Sequence, residues 1–241
     1  MKRIIKLIIK LFIVVCLTFI SVLCYLGYTN YKQAIDKLPI DTAINNIRNK
    51  DNYIKYDELS QDYIDAVIAV EDNRFFTRYG IDIKSIGRAF KIGLIEKQFD
   101  QGGSTITQQL SKNIYFDFER SLIRKVSEVF MTYNFENNYS KEDIFEAYVN
   151  IIYFGDGYYG IYDASKGYFN KNIDELNLAE TALLAGLPQS PSNYQLSNGL
   201  ELAIKRQKIV LDKMLELEYI SVNEYNEAIN YPIKDSYNNK E

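Results

Sequence analysis

Apolar residues are distributed along this chain in two distinct ways. From Ile4 to about Tyr28 they run almost unbroken, interrupted by Lys6 and Lys10 near the start, and a membrane-spanning helix needs roughly 20 such residues. Further on they recur at helical spacing. Tyr63, Ala66, Val67 and Val70 fall at i, i+3, i+4 and i+7, and Leu122, Val126, Val129, Phe130 and Tyr133 repeat the pattern; each stretch is expected to be a helix with a buried stripe. Ser140 before Lys141-Glu-Asp, and Ser221 ahead of Glu224, mark helix starts. No long alternating run occurs, so strands are at most minor and the class expected is mainly α.

Lys2, Arg3, Lys6 and Lys10 all lie at the N-terminal end of the apolar run, which places the N-terminus in the cytoplasm and the rest of the chain outside. A cleaved signal peptide is the competing reading. However, Ser21-Val-Leu-Cys-Tyr-Leu-Gly27 lacks a small-x-small cleavage pattern, and Leu23 before Cys24 makes a poor lipoprotein site. The expected organisation is a cytoplasmic tip and anchor over 1–28, a stalk over 29–59 and one domain over 60–241.

Composition narrows the chemistry. A formal net charge of -4 and a pI near 5.2 argue against a nucleic-acid partner. There is no histidine, and the two cysteines, Cys16 and Cys24, both lie in the apolar run. Histidine triads, histidine metal sites, thiol nucleophiles in the soluble part and a disulfide framework are therefore excluded. Carboxylates, hydroxyls, amides and cations must do the work.

Three segments could carry it. Glu71 continues the Val67 face by one turn, so its carboxylate extends from a buried stripe and can act as a general base of raised pKa, while Asp72 points about 100° away. The same periodicity also describes a helix ending in two solvated acids followed by the aromatic pair Phe75-Phe76. Next, Gln101-Gly-Gly-Ser-Thr-Ile-Thr-Gln-Gln-Leu-Ser-Lys-Asn113 opens a helix, with Thr105 and Gln108 as a capping box. Its free N–H groups could hold an anion, or it could be an ordinary loop and cap. Finally, Arg120 precedes Arg124, Lys125 and Glu128, which share one helical sector opposite Leu122, Val126 and Val129. That sector suits a pyrophosphate, with or without a divalent metal; by itself, Arg124–Glu128 is an i, i+4 pair worth roughly 0.3–0.5 kcal/mol.

In order, these segments resemble the glycosyltransferase family 51 domain of class A penicillin-binding proteins and monofunctional peptidoglycan glycosyltransferases. Glu71-Asp-Asn-Arg-Phe-Phe-Thr-Arg-Tyr-Gly80 is similar to the first family motif, Gly102 to Asn113 to the second, and Arg124-Lys-Val-Ser-Glu128 to the third. Glu146-Ala-Tyr-Val-Asn-Ile-Ile-Tyr-Phe-Gly155, running on to Tyr168-Phe169, resembles the fourth, and Ala182 to Tyr194 the fifth. Arg78 stands where the family usually has histidine, and Leu196 where proline is common.

The resemblance implies a lysozyme-like, two-lobed helical domain behind one transmembrane helix. It implies a peptidoglycan glycosyltransferase that polymerises lipid II into β-1,4-linked glycan with inversion and release of undecaprenyl pyrophosphate. Carried over by position, Glu71 is the catalytic base, and Glu128 is the second carboxylate, organising the donor pyrophosphate or a divalent metal, magnesium or manganese. Lys112, Arg120, Arg124 and Lys125 offset the pyrophosphate charge. Ser104, Thr105, Gln108 and Gln109 line the donor site, and Asp72 and Phe75 join the substrate-binding set. No organic cofactor is implied. Expected partners are lipid II, the growing lipid-linked glycan, the membrane, transpeptidases and other cell-wall synthesis proteins; moenomycin is the expected inhibitor. The chain lacks a Ser-x-x-Lys sequence, so no transpeptidase activity is expected.

Two other functions share these features. A lysozyme-like glycan-cleaving enzyme would use one or two carboxylates, but glycan cleavage has no anionic leaving group for the cations to stabilise. A noncatalytic membrane scaffold would need neither Glu71 nor Glu128.

Overall fold

In the computed structural model, which describes residues 2–82, 84, 103–116 and 121–238, the unbroken apolar run forms a single long helix, α1 (Lys2–Lys37). An 18-residue window of α1 has a mean hydropathy of 2.8 with none of it buried, so the helix is long and apolar enough to cross a membrane. It continues past Tyr28, where the anchor was expected to end.

The segment expected to be a stalk belongs instead to the folded unit. Helix α2 (Ile40–Arg48) buries Ile40, Ala43, Ile44 and Ile47, a helical stripe, in the common core. Downstream, the Asn150 side chain accepts from Ile54 N at 2.8 Å and donates to Ile54 O at 2.7 Å, and Glu146 accepts from Tyr56 N at 2.7 Å. Residues 40–59 are thus stitched to the helix carrying Glu146.

Helix α3 (Gln61–Glu71) starts at a Ser60 cap and buries Tyr63, Ala66 and Val67, as its periodicity predicts. Helix α4 (Ile106–Tyr115) opens on the expected Thr105–Gln108 capping box. Then come α5 (Leu122–Asn138), α6 (Lys141–Val149), α7 (Ile161–Phe169), α8 (Leu178–Gly186), the short α9 (Pro191–Tyr194), α10 (Leu196–Glu216), α11 (Val222–Ile229) and α12 (Ile233–Asn238). The Ser140 and Ser221 caps are both present. Among the described residues the only β feature is an isolated bridge, Tyr153–Tyr159. Helix α8 is buried at nearly every position and packs between α3 and α10, as expected of a helix that is apolar all round. Its one acid, Glu180, is neutralised by Lys171 at 2.7 Å.

Helix α5 departs from the expected burial. Leu122 is 63% exposed and Tyr133 36%, whereas Ser127, Glu128, Met131, Thr132 and Phe135 are buried. Glu128 turns into the domain, and Val126 and Phe130 of the apolar stripe turn toward α1. Tyr28 and Tyr31 of α1 meet the Phe130 ring at centroid distances of 5.4 and 5.9 Å, and Ser127 Oγ lies 2.9 Å from the Gly27 carbonyl. Glycine is required there, because a Cβ on residue 27 would stand 2.5 Å from Val126 Cγ1. The helix that carries the cations is thereby braced against the apolar anchor.

Candidate active site

Glu71 is the last residue of α3, and its side chain is 10% exposed. Its two oxygens differ. Oε2 accepts from Gln109 Nε2 at 2.6 Å; Oε1 lies 3.6 Å from Arg206 Nη2 and is buried without a hydrogen-bond partner. Burial pushes the Glu71 pKa above the ordinary carboxylate value, and the Arg206 charge, the Gln109 hydrogen bond and Lys112 only partly offset it. A buried carboxylate of raised pKa, hydrogen-bonded through one oxygen and only charge-paired with Arg206 through the other, has the properties of a general base.

Helix α4 delivers two residues to this place from adjacent turns. Gln109 holds Glu71, and Lys112 stands in the electrostatic field of both Glu71 and Glu128, its pKa lowered chiefly by burial. Glu128, buried on α5, has Arg124 Nη1 2.9 Å from Oε1 and Lys125 Nζ 2.9 Å from Oε2. Lys125 also donates to Ser104 Oγ at 2.7 Å. Arg124 Nε is buried without a hydrogen-bond partner. Glu71, Gln109, Lys112, Ser104, Arg124, Lys125 and Glu128 are thus brought together as the sequence implied. Arg120 lies outside the described residues.

Four other proposed substrate residues take structural positions instead. Asp72 is buried: both its oxygens lie 3.1 Å from Arg78 Nε, and Oδ2 accepts from Ile106 N at 3.2 Å. The anion at the start of α4 is therefore the protein's own carboxylate. Phe75 has 0% exposure and lies beneath Arg78 and Lys141, 5.7 and 4.8 Å from its ring centre. Thr105 and Gln108 are buried, each bonded to the other's backbone in the capping box, at 3.1 and 3.0 Å. None of the four offers its side chain to a ligand in this geometry.

Protein carboxylates alone do not cage a metal at Glu128. Each of its oxygens faces a cation, and among the described residues no group of three or more Asp, Glu, Cys or His side chains gathers. Hard divalent cations need several oxygen donors.

Sequence reasoning missed Arg206, Tyr148 and the Arg78–Glu136 pair. Arg206 had a signal: Ala203, Arg206, Gln207, Val210, Leu211 and Met214 form the buried stripe of α10, and an arginine on such a stripe needs an acidic partner. Arg78 and Glu136, 3.0 Å apart, had none. Glu136 also accepts from Thr107 Oγ1 at 2.6 Å and pairs with Lys141 at 2.8 Å. Its carboxylate is held below its ordinary pKa by these donors, chiefly Lys141 and Thr107, against the opposing effect of burial.

The transglycosylase family model matches residues 39–215. The chain belongs to the transglycosylase family. The match begins at the point where α2 enters the core. Penicillin-binding protein 1A of Aquifex aeolicus is 41% identical over 188 residues, 78% of this chain and 26% of that protein. The Vibrio cholerae protein of the same name is 40% identical over 188 residues, 78% of this chain and 23% of that one. The Neisseria gonorrhoeae protein is 44% identical over 165 residues, covering 68% and 21%. Penicillin-binding protein 1A from Haemophilus influenzae, a solved structure, aligns with a TM-score of 0.46 at 26% identity, over 75% of this chain and 17% of that one. The chain spans about a quarter of the length of the curated relatives it matches.

Proposed function

We propose that this transglycosylase-family chain is a peptidoglycan glycosyltransferase that polymerises lipid II at the outer face of the plasma membrane. The observation that carries the reading is a buried carboxylate of raised pKa, Glu71, linked through Lys112, which lies in the field of both Glu71 and Glu128, to the cationic pair Arg124 and Lys125.

The chemistry balances with these residues alone. Glu71 Oε1 takes the proton from the 4-hydroxyl of the acceptor disaccharide as that oxygen bonds to the anomeric carbon of the growing chain. The bond from that carbon to undecaprenyl pyrophosphate breaks, and its electron pair leaves with the pyrophosphate. Attack from the opposite face inverts the centre and gives a β-1,4 link. Lys112, Lys125 and Arg124 meet the charge that develops on the leaving group, where preorganised cations contribute most. Glu128 holds Arg124 and Lys125 in place. No step is assigned to a metal.

Helix α1 would anchor the enzyme, with Lys2, Arg3, Lys6 and Lys10 on the cytoplasmic side. Transpeptidases acting on the same glycan are the expected partners. These 241 residues hold no Ser-x-x-Lys sequence, so this stretch of chain should form no acyl-enzyme with penicillin. The reading is tested by incubating the detergent-solubilised chain with labelled lipid II, with and without magnesium or manganese. Lysozyme-sensitive polymer that moenomycin suppresses is expected; no polymer from folded protein that still binds lipid II would refute the reading and leave a scaffold.

A further inference from the structure

Tyr148 is fully enclosed on α6, with 1% exposure, and the chemistry above makes no use of it. Its hydroxyl lies 3.4 Å from Gln109 Oε1, the oxygen of the same amide whose Nε2 donates to Glu71 Oε2 at 2.6 Å. A glutamine amide has two dissimilar ends. Turned over, it would set its oxygen against the Glu71 carboxylate and remove the one hydrogen bond that fixes that group.

Among the charged groups facing Glu71 are Arg206 from α10, Lys112 from α4 and Asp72 beside it. Burial first, and the Glu71 charge second, hold the Tyr148 hydroxyl well above its ordinary pKa, so it keeps its proton and remains a donor.

We propose that Tyr148 is a positioning residue for the base: it donates to Gln109 Oε1, keeps the amide N–H on Glu71 Oε2, and so leaves Oε1 as the oxygen that receives the acceptor proton. The inference rests on the polymerase reading for its consequence in catalysis, but its effect on Glu71 is independent of turnover.

The test uses the full chain in detergent, as wild type, Tyr148→Phe, Gln109→Leu and the double variant. Polymerisation of labelled lipid II is followed from pH 5 to 9, and the Glu71 carboxyl is titrated by carbon-13 NMR, assigned with Glu71→Gln. Tyr148→Phe should lower kcat about tenfold with KM unchanged. It should also move the acidic limb and the NMR titration of Glu71 up by about one pH unit. Gln109→Leu should raise the Glu71 titration by itself, and adding Tyr148→Phe should change it no further, as for two members of one chain of contacts. A merely space-filling tyrosine would leave the titration unmoved, which overturns the proposal. So does a double variant in which the two effects on rate multiply. If the wild type makes no polymer, the polymerase reading fails, and the NMR titration still decides whether Tyr148 positions Glu71.

Discussion

Asp72 accepts a hydrogen bond from the backbone N–H of Ile106 at 3.2 Å, so the end of α3 is tied to the start of α4 by one carboxylate. This tie brings Gln109, one turn further along α4, to Glu71, the residue before Asp72. The pair Glu71-Asp72 thus divides its labour: Glu71 is the proposed base, and Asp72 ties together the two helices that hold it.

Asp72→Asn should therefore act through stability. It leaves Arg78 buried with only part of its compensation, and breaking a buried pair from one side costs about 3–5 kcal/mol. Thermal melting should show a large drop, with polymerase activity lost in proportion to the folded fraction. A melting temperature equal to the wild type's would show that Asp72 has the substrate-facing role first expected of it.

Phe75 gives a cleaner separation. Phe75→Leu removes ring area from a fully buried place beneath two cations and should cost about 1–3 kcal/mol. The KM for lipid II in the folded protein should stay the same. A raised KM with unchanged melting would reverse the assignment.

Gly27→Val tests the brace between anchor and domain. The added side chain meets Val126 of α5, whose Cγ1 would lie 2.5 Å from a Cβ on residue 27. It should loosen the Tyr28–Phe130 contact and expose residues 28–39 to limited proteolysis, several-fold faster than in the wild type. Unchanged cleavage would mean that α1 leaves the domain without leaning on it.

The pH dependence follows from the raised pKa of Glu71. Between the ordinary carboxylate value, about 4.3, and its higher folded value, the folded chain holds a proton that the unfolded chain has released. Folding stability attributable to Glu71 therefore falls as pH rises through that window. Glu71→Gln should melt higher than the wild type near pH 8 and lose that advantage toward pH 4. A gain independent of pH would argue against the raised pKa.

Much of this was legible in the sequence because it was local. The capping boxes at Thr105, Ser140 and Ser221, the buried face of α3 and the apolar run of α1 each depend on residues within a turn or two of one another. The site was legible only in part. Periodicity located Glu71 and the Arg124–Lys125–Glu128 sector, but it turned α5 the wrong way round. An apolar stripe normally marks the inside, and here it meets an apolar anchor while the polar sector faces the site. Asp72, Phe75, Thr105 and Gln108 sit close to Glu71, Ser104 and Gln109 in sequence, yet their side chains are buried in structural contacts. Arg206 and Tyr148 reach Glu71 only through the packing of α10 and α6 around α3 and α4, which no local pattern records.

The central claim is that Glu71 removes the acceptor proton, and the most direct test is the single-turnover rate of Glu71→Gln on labelled lipid II at saturating substrate. The exchange preserves shape and the Gln109 contact but cannot accept the proton. The account predicts a rate lowered by about 100-fold to 10,000-fold with lipid II binding intact. A rate within a few-fold of the wild type would contradict it and move the base elsewhere.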